Sequence, residues 1–209
     1  MSRLTSFVLG YHGCERTTAE ELVQGKTALN PGKAKYHWLG KGIYFWEDDP
    51  ERALEWAIGR PASRALEEPC VVGAIIDMRN CLDLRVRANM KLVKDAHRLF
   101  EDEAAASGMT LPANQDAPND KSPDLVMRYL DYAVIERLHR LAEDTKLPPF
   151  DTVRALFHEG VPAYAGSGFH EKTHSEIAVR TEACIVGYFL PRPPLIGPRR
   201  PKAVSAGAT

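Results

Sequence analysis

Short segments rich in β-forming residues lie at both ends of this 209-residue chain, and a long helical stretch separates them. Strands at the two ends with helices between them indicate the α+β class. The predicted strands lie over residues 6–11, 42–46, 70–77, 175–180 and 184–190, and residues 81–84 are either a short strand or a turn. The run 70–77 is apolar almost throughout, which predicts a central strand.

Capping residues and apolar periodicity predict four helices, over residues 17–23, 51–57, about 86–107 and about 123–144. Thr17 or Thr18 is expected to cap the first helix, and Pro50 after an aspartate is typical of the first turn of the second. The last two predicted helices would form an insertion at about 86–150.

The sequence predicts one domain over residues 1–190, followed by a flexible Pro-rich tail over 191–209. The tail has five prolines within eleven residues, a composition that does not favour a packed core. The 209 residues are enough to bury a core without disulfides or metals.

The charge balance argues against a protein whose main role is broad binding to nucleic-acid phosphates. The chain has 27 basic and 28 acidic residues, for a net charge of −1, whereas such binders are usually basic. No stretch reaches the roughly 18 apolar residues of a membrane helix, and the N-terminus lacks a signal-peptide pattern. We therefore expect no membrane partner. The expected location is the cytoplasm, or a target cell into which the protein is delivered without a classical signal peptide.

The four cysteines, Cys14, Cys70, Cys81 and Cys184, form no CxxC pair. Their apolar surroundings indicate free thiols in a reducing compartment. A zinc site needs ligands that are more closely paired, so we expect no metal.

Three short segments place one polar group at the edge of an apolar strand: Tyr11–Gly13, Gly40–Phe45 and Thr173–Val179. Taken singly, a structural histidine, a packed tyrosine and a solvated glutamate are the more common interpretations. In this order, with 32 residues from His12 to Tyr44, the segments resemble the ADP-ribosyltransferase superfamily. The similarity is to its poly(ADP-ribose) polymerase-like branch, which has a His-Tyr-Glu triad, and it is dense over about residues 6–60 and 165–190.

The resemblance implies split, mostly antiparallel β-sheets with flanking helices, and NAD⁺ as the substrate with no metal. The catalytic triad would be His12, Tyr44 and Glu176. By the resemblance, His12 binds the adenosine ribose of NAD⁺ and Tyr44 stacks on the nicotinamide. Glu176 binds the nicotinamide ribose and stabilises the positive charge that develops when the glycosidic bond breaks. Glu159 and Glu171 are competing acids.

The resemblance also implies further NAD⁺ contacts. Gly13 would offer its backbone groups to the nicotinamide amide, since a glycine allows a ligand to approach closely. Trp56 would close the aromatic sandwich, or would only pack in its helix with Ala53 and Leu54; Trp46 is the second candidate. The helix after the tyrosine strand lacks the serine that contacts the amide in many relatives, so Gly13 would hold the amide alone. Independently of the resemblance, Arg154 either faces the NAD⁺ pyrophosphate, since its planar guanidinium suits phosphate oxygens, or forms a structural ion pair with Asp151.

Two residues are candidates for the acceptor side of the site. His174 lies two residues before Glu176, where relatives select their acceptor, and it is either a base or a loop histidine without a role. Phe169 lies in a glycine-flanked loop that fits acceptor recognition but is also typical of surface loops. The basic loop over residues 26–41 would meet the pyrophosphate, or a nucleic-acid acceptor, or only solvent.

The leading hypothesis is a mono-ADP-ribosyltransferase that transfers ADP-ribose from NAD⁺ to a macromolecular acceptor, a protein or a nucleic acid. By analogy with compact relatives, it would be a toxin or defence effector with an antitoxin or regulator as partner. An NAD⁺ glycohydrolase is the alternative. An inactive module that binds NAD⁺, ADP-ribose or a partner is a third hypothesis.

Overall fold

The computed structural model describes residues 7–32, 34–116 and 125–200. Within these ranges, eleven α-helices and β-strands follow one another. They are β1 (Phe7–Glu15), α1 (Arg16–Val23), β2 (Ile43–Glu47), α2 (Pro50–Gly59), β3 (Pro69–Asp77), β4 (Cys81–Asp83), α3 (Arg87–Ser107), α4 (Tyr129–Asp144), β5 (Thr152–Phe157), β6 (His174–Val179) and β7 (Ile185–Phe189). No helix in these three ranges is long and apolar enough to cross a membrane.

The strands form a seven-stranded sheet in the order β4-β5-β6-β2-β1-β3-β7. Only β4 and β5 run parallel among the neighbouring pairs. A parallel pair needs a crossover connection, and here α3 and α4 form that connection. The predicted α+β class, with a mostly antiparallel sheet and a helical insertion, is confirmed.

The sheet narrows at its centre, where β1 meets β2. These strands pair only at Gly10↔Glu47 and Tyr11↔Trp46, whereas β1 and β3 pair along their whole length. We call β4-β5-β6-β2 the β2 half of the sheet and β1-β3-β7 the β1 half. The resemblance implies split sheets, whereas the structure has one sheet with an opening beyond the last β1–β2 pair.

Helices cover one face of both halves. Side chains alternate along strands, and Trp46 is paired with both Tyr11 and Glu176, so these three side chains share a face. On this face α2 packs against β1, and α3 and α4 pack against the β2 half. The resulting core includes Ala53 of α2 and Val134 of α4. α1 packs on the opposite face through Ala19 and Leu22.

β1 is longer than predicted. Its expected end was near residue 11, but the strand continues to Glu15 because residues 12–15 all pair with β3. The next helix consequently begins at Arg16, with Glu15 at its N-cap in place of Thr17 or Thr18. The Glu15 carboxylate instead accepts hydrogen bonds from the backbone N–H groups of residues 67 and 68.

Two further differences affect the C-terminal half of the chain. β5 was not predicted, although its inward-facing residues Val153, Ala155 and Phe157 alternate with outward-facing ones. α4 begins at Tyr129, and its predicted start at residue 123 lies outside the described residues.

The Pro-rich segment over residues 191–200 bonds to the segment that leads into β3 and to the start of that strand. The flexibility of the tail stays a prediction. Val71 N–H donates to the Leu195 carbonyl at 3.1 Å, and Gly197 N–H donates to the Pro69 carbonyl at 2.7 Å. Residues 201–209 lie outside the described part of the chain.

Candidate active site at the opening between β1 and β2

A cavity of about 440 Å³ lies on the helix-covered face, at the opening of the sheet. This volume lies in the range of small-molecule sites. The walls come from β1, β2, α2, β6, the end of β5 and the segment after it, the loop before β2 and the segment before α4. Six large aromatic side chains line the cavity: Tyr36, Trp38, Tyr44, Trp46, Trp56 and Phe157. Such walls suit a flat, partly aromatic ligand.

His12 bridges the opening between the two halves of the sheet. Its Nδ1 lies 2.8 Å from the carbonyl oxygen of Tyr44. A carbonyl only accepts hydrogen bonds, so Nδ1 carries the proton. Burial lowers the pKa of His12, although the bond to Tyr44 opposes this shift. The ring is therefore neutral at pH 7, and its Nε2 is left as a hydrogen-bond acceptor.

Tyr44 is fixed by its hydroxyl group. The hydroxyl donates to the Gly40 carbonyl and accepts from Leu39 N–H, both at 2.9 Å. Burial and the nearby Glu176 raise the pKa of Tyr44 well above its ordinary value. Since the hydroxyl is engaged and un-ionised, the ring is the part of Tyr44 that remains available to a ligand. His37 packs edge-on against this ring, with centroids 4.9 Å apart.

The carboxylate of Glu176 reaches the cavity and is held at both oxygens. The indole N–H of Trp38 donates to Oε2, and Nε2 of His174 lies 3.4 Å from Oε1. Trp38 is itself packed edge-on against Phe157, with centroids 4.8 Å apart. The Glu176 side chain is 14% exposed. The carboxylate is thus largely shielded from water, where its charge acts more strongly on a neighbouring cation.

His174 is a buried strand residue and lies at the edge of the cavity. Its ring stacks on Phe157, and its Nδ1 lies 2.6 Å from the carbonyl oxygen of Lys172. Burial lowers the pKa of His174, but the hydrogen bond to Glu176, its charge and the Lys172 carbonyl together raise it by more. The net effect is a pKa above the ordinary value.

Arg52 and Glu159 form an ion pair in the cavity wall. Arg52 Nη2 lies 2.7 and 2.9 Å from the two carboxylate oxygens, and each side chain is less than one-fifth exposed. Glu159, a competing acid in the sequence, is thus at the cavity but neutralised by a cation. The other competing acid, Glu171, is exposed and does not line this cavity.

Both tryptophans that were considered as the second aromatic line the cavity. Trp56 lies beside His12, with ring centroids 6.3 Å apart, and Trp46 is packed behind it at 5.7 Å. Trp56 is 40% exposed, whereas Trp46 is only 6% exposed. Trp56 is therefore the tryptophan that a ligand can reach over the larger area.

Gly13 does not line this cavity. It is buried beneath α2, and a Cβ at this position would lie 2.3 Å from the carbonyl oxygen of Ala53 and 2.9 Å from Cβ of Ala57. The absence of a side chain is required for the close approach of α2 to β1. The predicted contact with the nicotinamide amide stays a prediction.

Arg154 and Phe169 also lie away from this cavity. Arg154 points to the opposite face of the sheet, where it pairs with the buried carboxylate of Glu47 through two hydrogen bonds. The expected partner, Asp151, instead accepts from Asn80 N–H. Phe169 lies in the loop before β6 and is 73% exposed. The structure thus contradicts the ion pair between Arg154 and Asp151.

Sequence reasoning missed three contributors to the site: Trp38, Phe157 and Arg52. Phe157 had a usable signal, since it continues the apolar alternation of β5. Trp38 and Arg52 had none, because their partners Glu176 and Glu159 are more than one hundred residues away along the chain.

Comparisons with known proteins identify no family. No family model matches the chain, and no solved structure matches it. An uncharacterised protein of the archaeon Methanocaldococcus jannaschii is 44% identical over 46 residues, which is 22% of this chain and 21% of that protein. The chain thus matches about one-fifth of that relative's length. In the described ranges, no group of three or more His, Cys, Asp or Glu residues is arranged to hold a metal ion.

Proposed function

We propose that the protein is an NAD⁺-dependent mono-ADP-ribosyltransferase. One observation carries this proposal: His12, Tyr44 and Glu176, which are distant in sequence, line one cavity at the opening of the sheet. Each also presents the group that the reaction needs. His12 offers a neutral acceptor nitrogen, Tyr44 offers a ring face, and Glu176 offers a shielded carboxylate.

The reaction breaks the bond between C1′ of the ribose and the nicotinamide nitrogen. Nicotinamide leaves with the bonding electron pair as a neutral molecule, and positive charge develops on the ribose as in an oxocarbenium ion. A carboxylate that is already fixed in a water-poor site stabilises that charge without reorganisation. Glu176 meets this requirement, because both of its oxygens have donors and its side chain is mostly buried.

The other two residues would bind the ends of the substrate. The Tyr44 ring would stack on the nicotinamide, and Nε2 of His12 would accept a hydrogen bond from a ribose hydroxyl. Trp56 would add a second aromatic surface beside His12. The acceptor, a protein or a nucleic acid, would then attack C1′ and lose a proton, which completes the transfer.

Nicotinamide release from NAD⁺ tests the chemistry. The wild type is compared with Glu176→Gln, which keeps the shape and removes the charge, and with Glu101→Gln on the exposed surface of α3. We expect the first variant to lose about 100-fold or more in rate, the usual effect of removing one preorganised electrostatic contact. The Glu101 variant should keep the wild-type rate. Equal rates in all three proteins would refute the role of Glu176.

A second assay separates transfer from hydrolysis. The protein is incubated with NAD⁺ labelled in the adenylate half, with and without a cell lysate. Label on macromolecules supports the transferase, whereas free ADP-ribose alone would make the protein an NAD⁺ glycohydrolase. If lysate brings no nicotinamide release and the protein does not bind NAD⁺, the proposed function is wrong.

A further inference from the structure

The two nitrogens of His174 both face groups that only accept hydrogen bonds. Nδ1 lies 2.6 Å from the Lys172 carbonyl oxygen, and Nε2 lies 3.4 Å from Oε1 of Glu176. A carbonyl and a carboxylate each require a proton on the nitrogen that faces them. The ring satisfies both only when it carries two protons, which makes it an imidazolium.

The charges around His174 favour this form. Glu176 lies on the same strand, and Oε2 of Glu159, two residues after the end of β5, lies 4.0 Å from Nδ1. Arg52 on α2 opposes protonation, but it is itself paired with Glu159. His174 also borders a second cavity on the opposite face, whose charged lining residues are Glu47, Asp48, Asp49, Arg85 and Arg154. Three acids and two bases there do not add a net positive charge.

His174 supplies one of the two contacts that hold the Glu176 carboxylate. Oε2 is held by the indole N–H of Trp38, and Oε1 faces His174. If Nε2 lost its proton, its lone pair would face the carboxylate and repel it. We propose that His174 is an imidazolium that positions the Glu176 carboxylate in the cavity. The expected effect on the rate of NAD⁺ cleavage rests on the proposed function, whereas the protonation of His174 and its contact with Glu176 do not.

This role differs from that of a base toward the acceptor. A base needs a free lone pair that a substrate can reach. His174 is only 6% exposed, its ring is stacked on Phe157, and both nitrogens already have partners. The lone pair that the sequence-based hypothesis requires is absent in the imidazolium form. His174 is therefore a positioning residue.

NMR of the ¹⁵N-labelled whole protein tests the proposal without NAD⁺. His174 is assigned with His174→Gln, and the Trp38 indole signal is assigned with Trp38→Phe. We expect both His174 nitrogens to be protonated at pH 7. The Trp38 indole signal should shift with the same midpoint as His174, because both side chains hold one carboxylate. Glu176→Gln should lower the His174 midpoint, and His97→Gln on α3 should leave both signals unchanged.

A neutral His174 at pH 7, a midpoint unaffected by Glu176→Gln, or a Trp38 indole signal that does not follow His174 would each overturn the proposal. Because this assay needs no substrate, it gives an answer even if NAD⁺ is not the substrate. A protein that cleaves NAD⁺ but has a neutral His174 would keep the proposed function and lose this inference.

Kinetics provide the second test. His174→Gln should lower the kcat of nicotinamide release by about 10- to 100-fold, since a small misplacement of a catalytic group has an effect of this order. The KM for NAD⁺ should change little, because His174 does not bind the substrate. The wild-type kcat should fall as pH rises through the His174 midpoint, and the variant should lack this fall. An unchanged kcat and pH profile would refute the positioning role.

Discussion

Replacing Gly13 with alanine should destabilise the protein strongly. The added Cβ would lie 2.3 Å from a backbone oxygen of α2, and no real Cβ approaches so closely, so α2 must move away from β1. Overpacking of this kind typically reduces the free energy of unfolding by about 1–3 kcal/mol. We expect a loss of about 3 kcal/mol, because the obstructing atom belongs to a helix backbone and cannot rotate aside.

Urea and thermal unfolding measure this loss. For a chain of this size, about 3 kcal/mol corresponds to a decrease in melting temperature of about 6–12 °C. Gly187→Ala is the matched control, because Gly187 also lies in a strand but has nothing within 4 Å of the added Cβ. That variant should be as stable as the wild type or slightly more stable, since alanine restricts the unfolded chain.

The same pair of variants separates packing from ligand binding at Gly13. α2 carries Arg52 and Trp56, so its displacement should also weaken NAD⁺ binding. If Gly13→Ala unfolds at the same urea concentration as Gly187→Ala, the packing argument is refuted. If stability is normal but nicotinamide release is lost, Gly13 binds the substrate directly, as the resemblance implies.

Three other perturbations have expected outcomes that can be measured by urea unfolding and by initial rates. Tyr44→Phe should reduce the free energy of unfolding by about 1–3 kcal/mol, because it leaves the N–H of Leu39 without its acceptor. Most activity should remain, since the aromatic ring is kept. Loss of activity would show that the hydroxyl is catalytic. Arg154→Met should reduce the free energy of unfolding by about 3 kcal/mol, since it leaves the buried carboxylate of Glu47 largely unpaired. The KM for NAD⁺ should not change, and a raised KM would place Arg154 in substrate binding. Burial and nearby charge lower the pKa of His139 to about 4, so stability should be full above about pH 6.5, the ordinary histidine value, and decline by about 2 kcal/mol as the pH falls from there to 5. His139→Leu should reduce this decline, and an unchanged decline would assign it to other groups.

Local signals in the sequence were sufficient for several elements. Pro50 after Asp48 or Asp49 predicts the start of α2, and in the structure the Asp49 side chain accepts a hydrogen bond from Arg52 N–H at 2.9 Å. The opening of the sheet followed from the resemblance, and not from any local pattern. That His12, Tyr44 and Glu176 line the same cavity depends on strand register, which the composition of each segment does not specify.

The strand β5 and the contact between Trp38 and Glu176 were not predicted, and both depend on distant residues. Arg154 makes the β5 segment look too polar for a sheet interior, but Glu47 of β2 neutralises it across the sheet. Trp38 holds Glu176 from a loop that has no strand or helix periodicity. In both cases the deciding partner is more than one hundred residues away along the chain.

The arrangement of the two sheet halves also has consequences for how the chain folds. The chain passes from one half to the other between β1 and β2, between β2 and β3, between β3 and β4, and again between β6 and β7. Neither half is a continuous piece of sequence, so neither can form first as an independent unit. Folding that depends on such non-local strand pairing is slow, because the entropy of loop closure is lost before the stabilising contacts form. We therefore expect a single cooperative transition, in which the cavity between the halves forms together with the sheet.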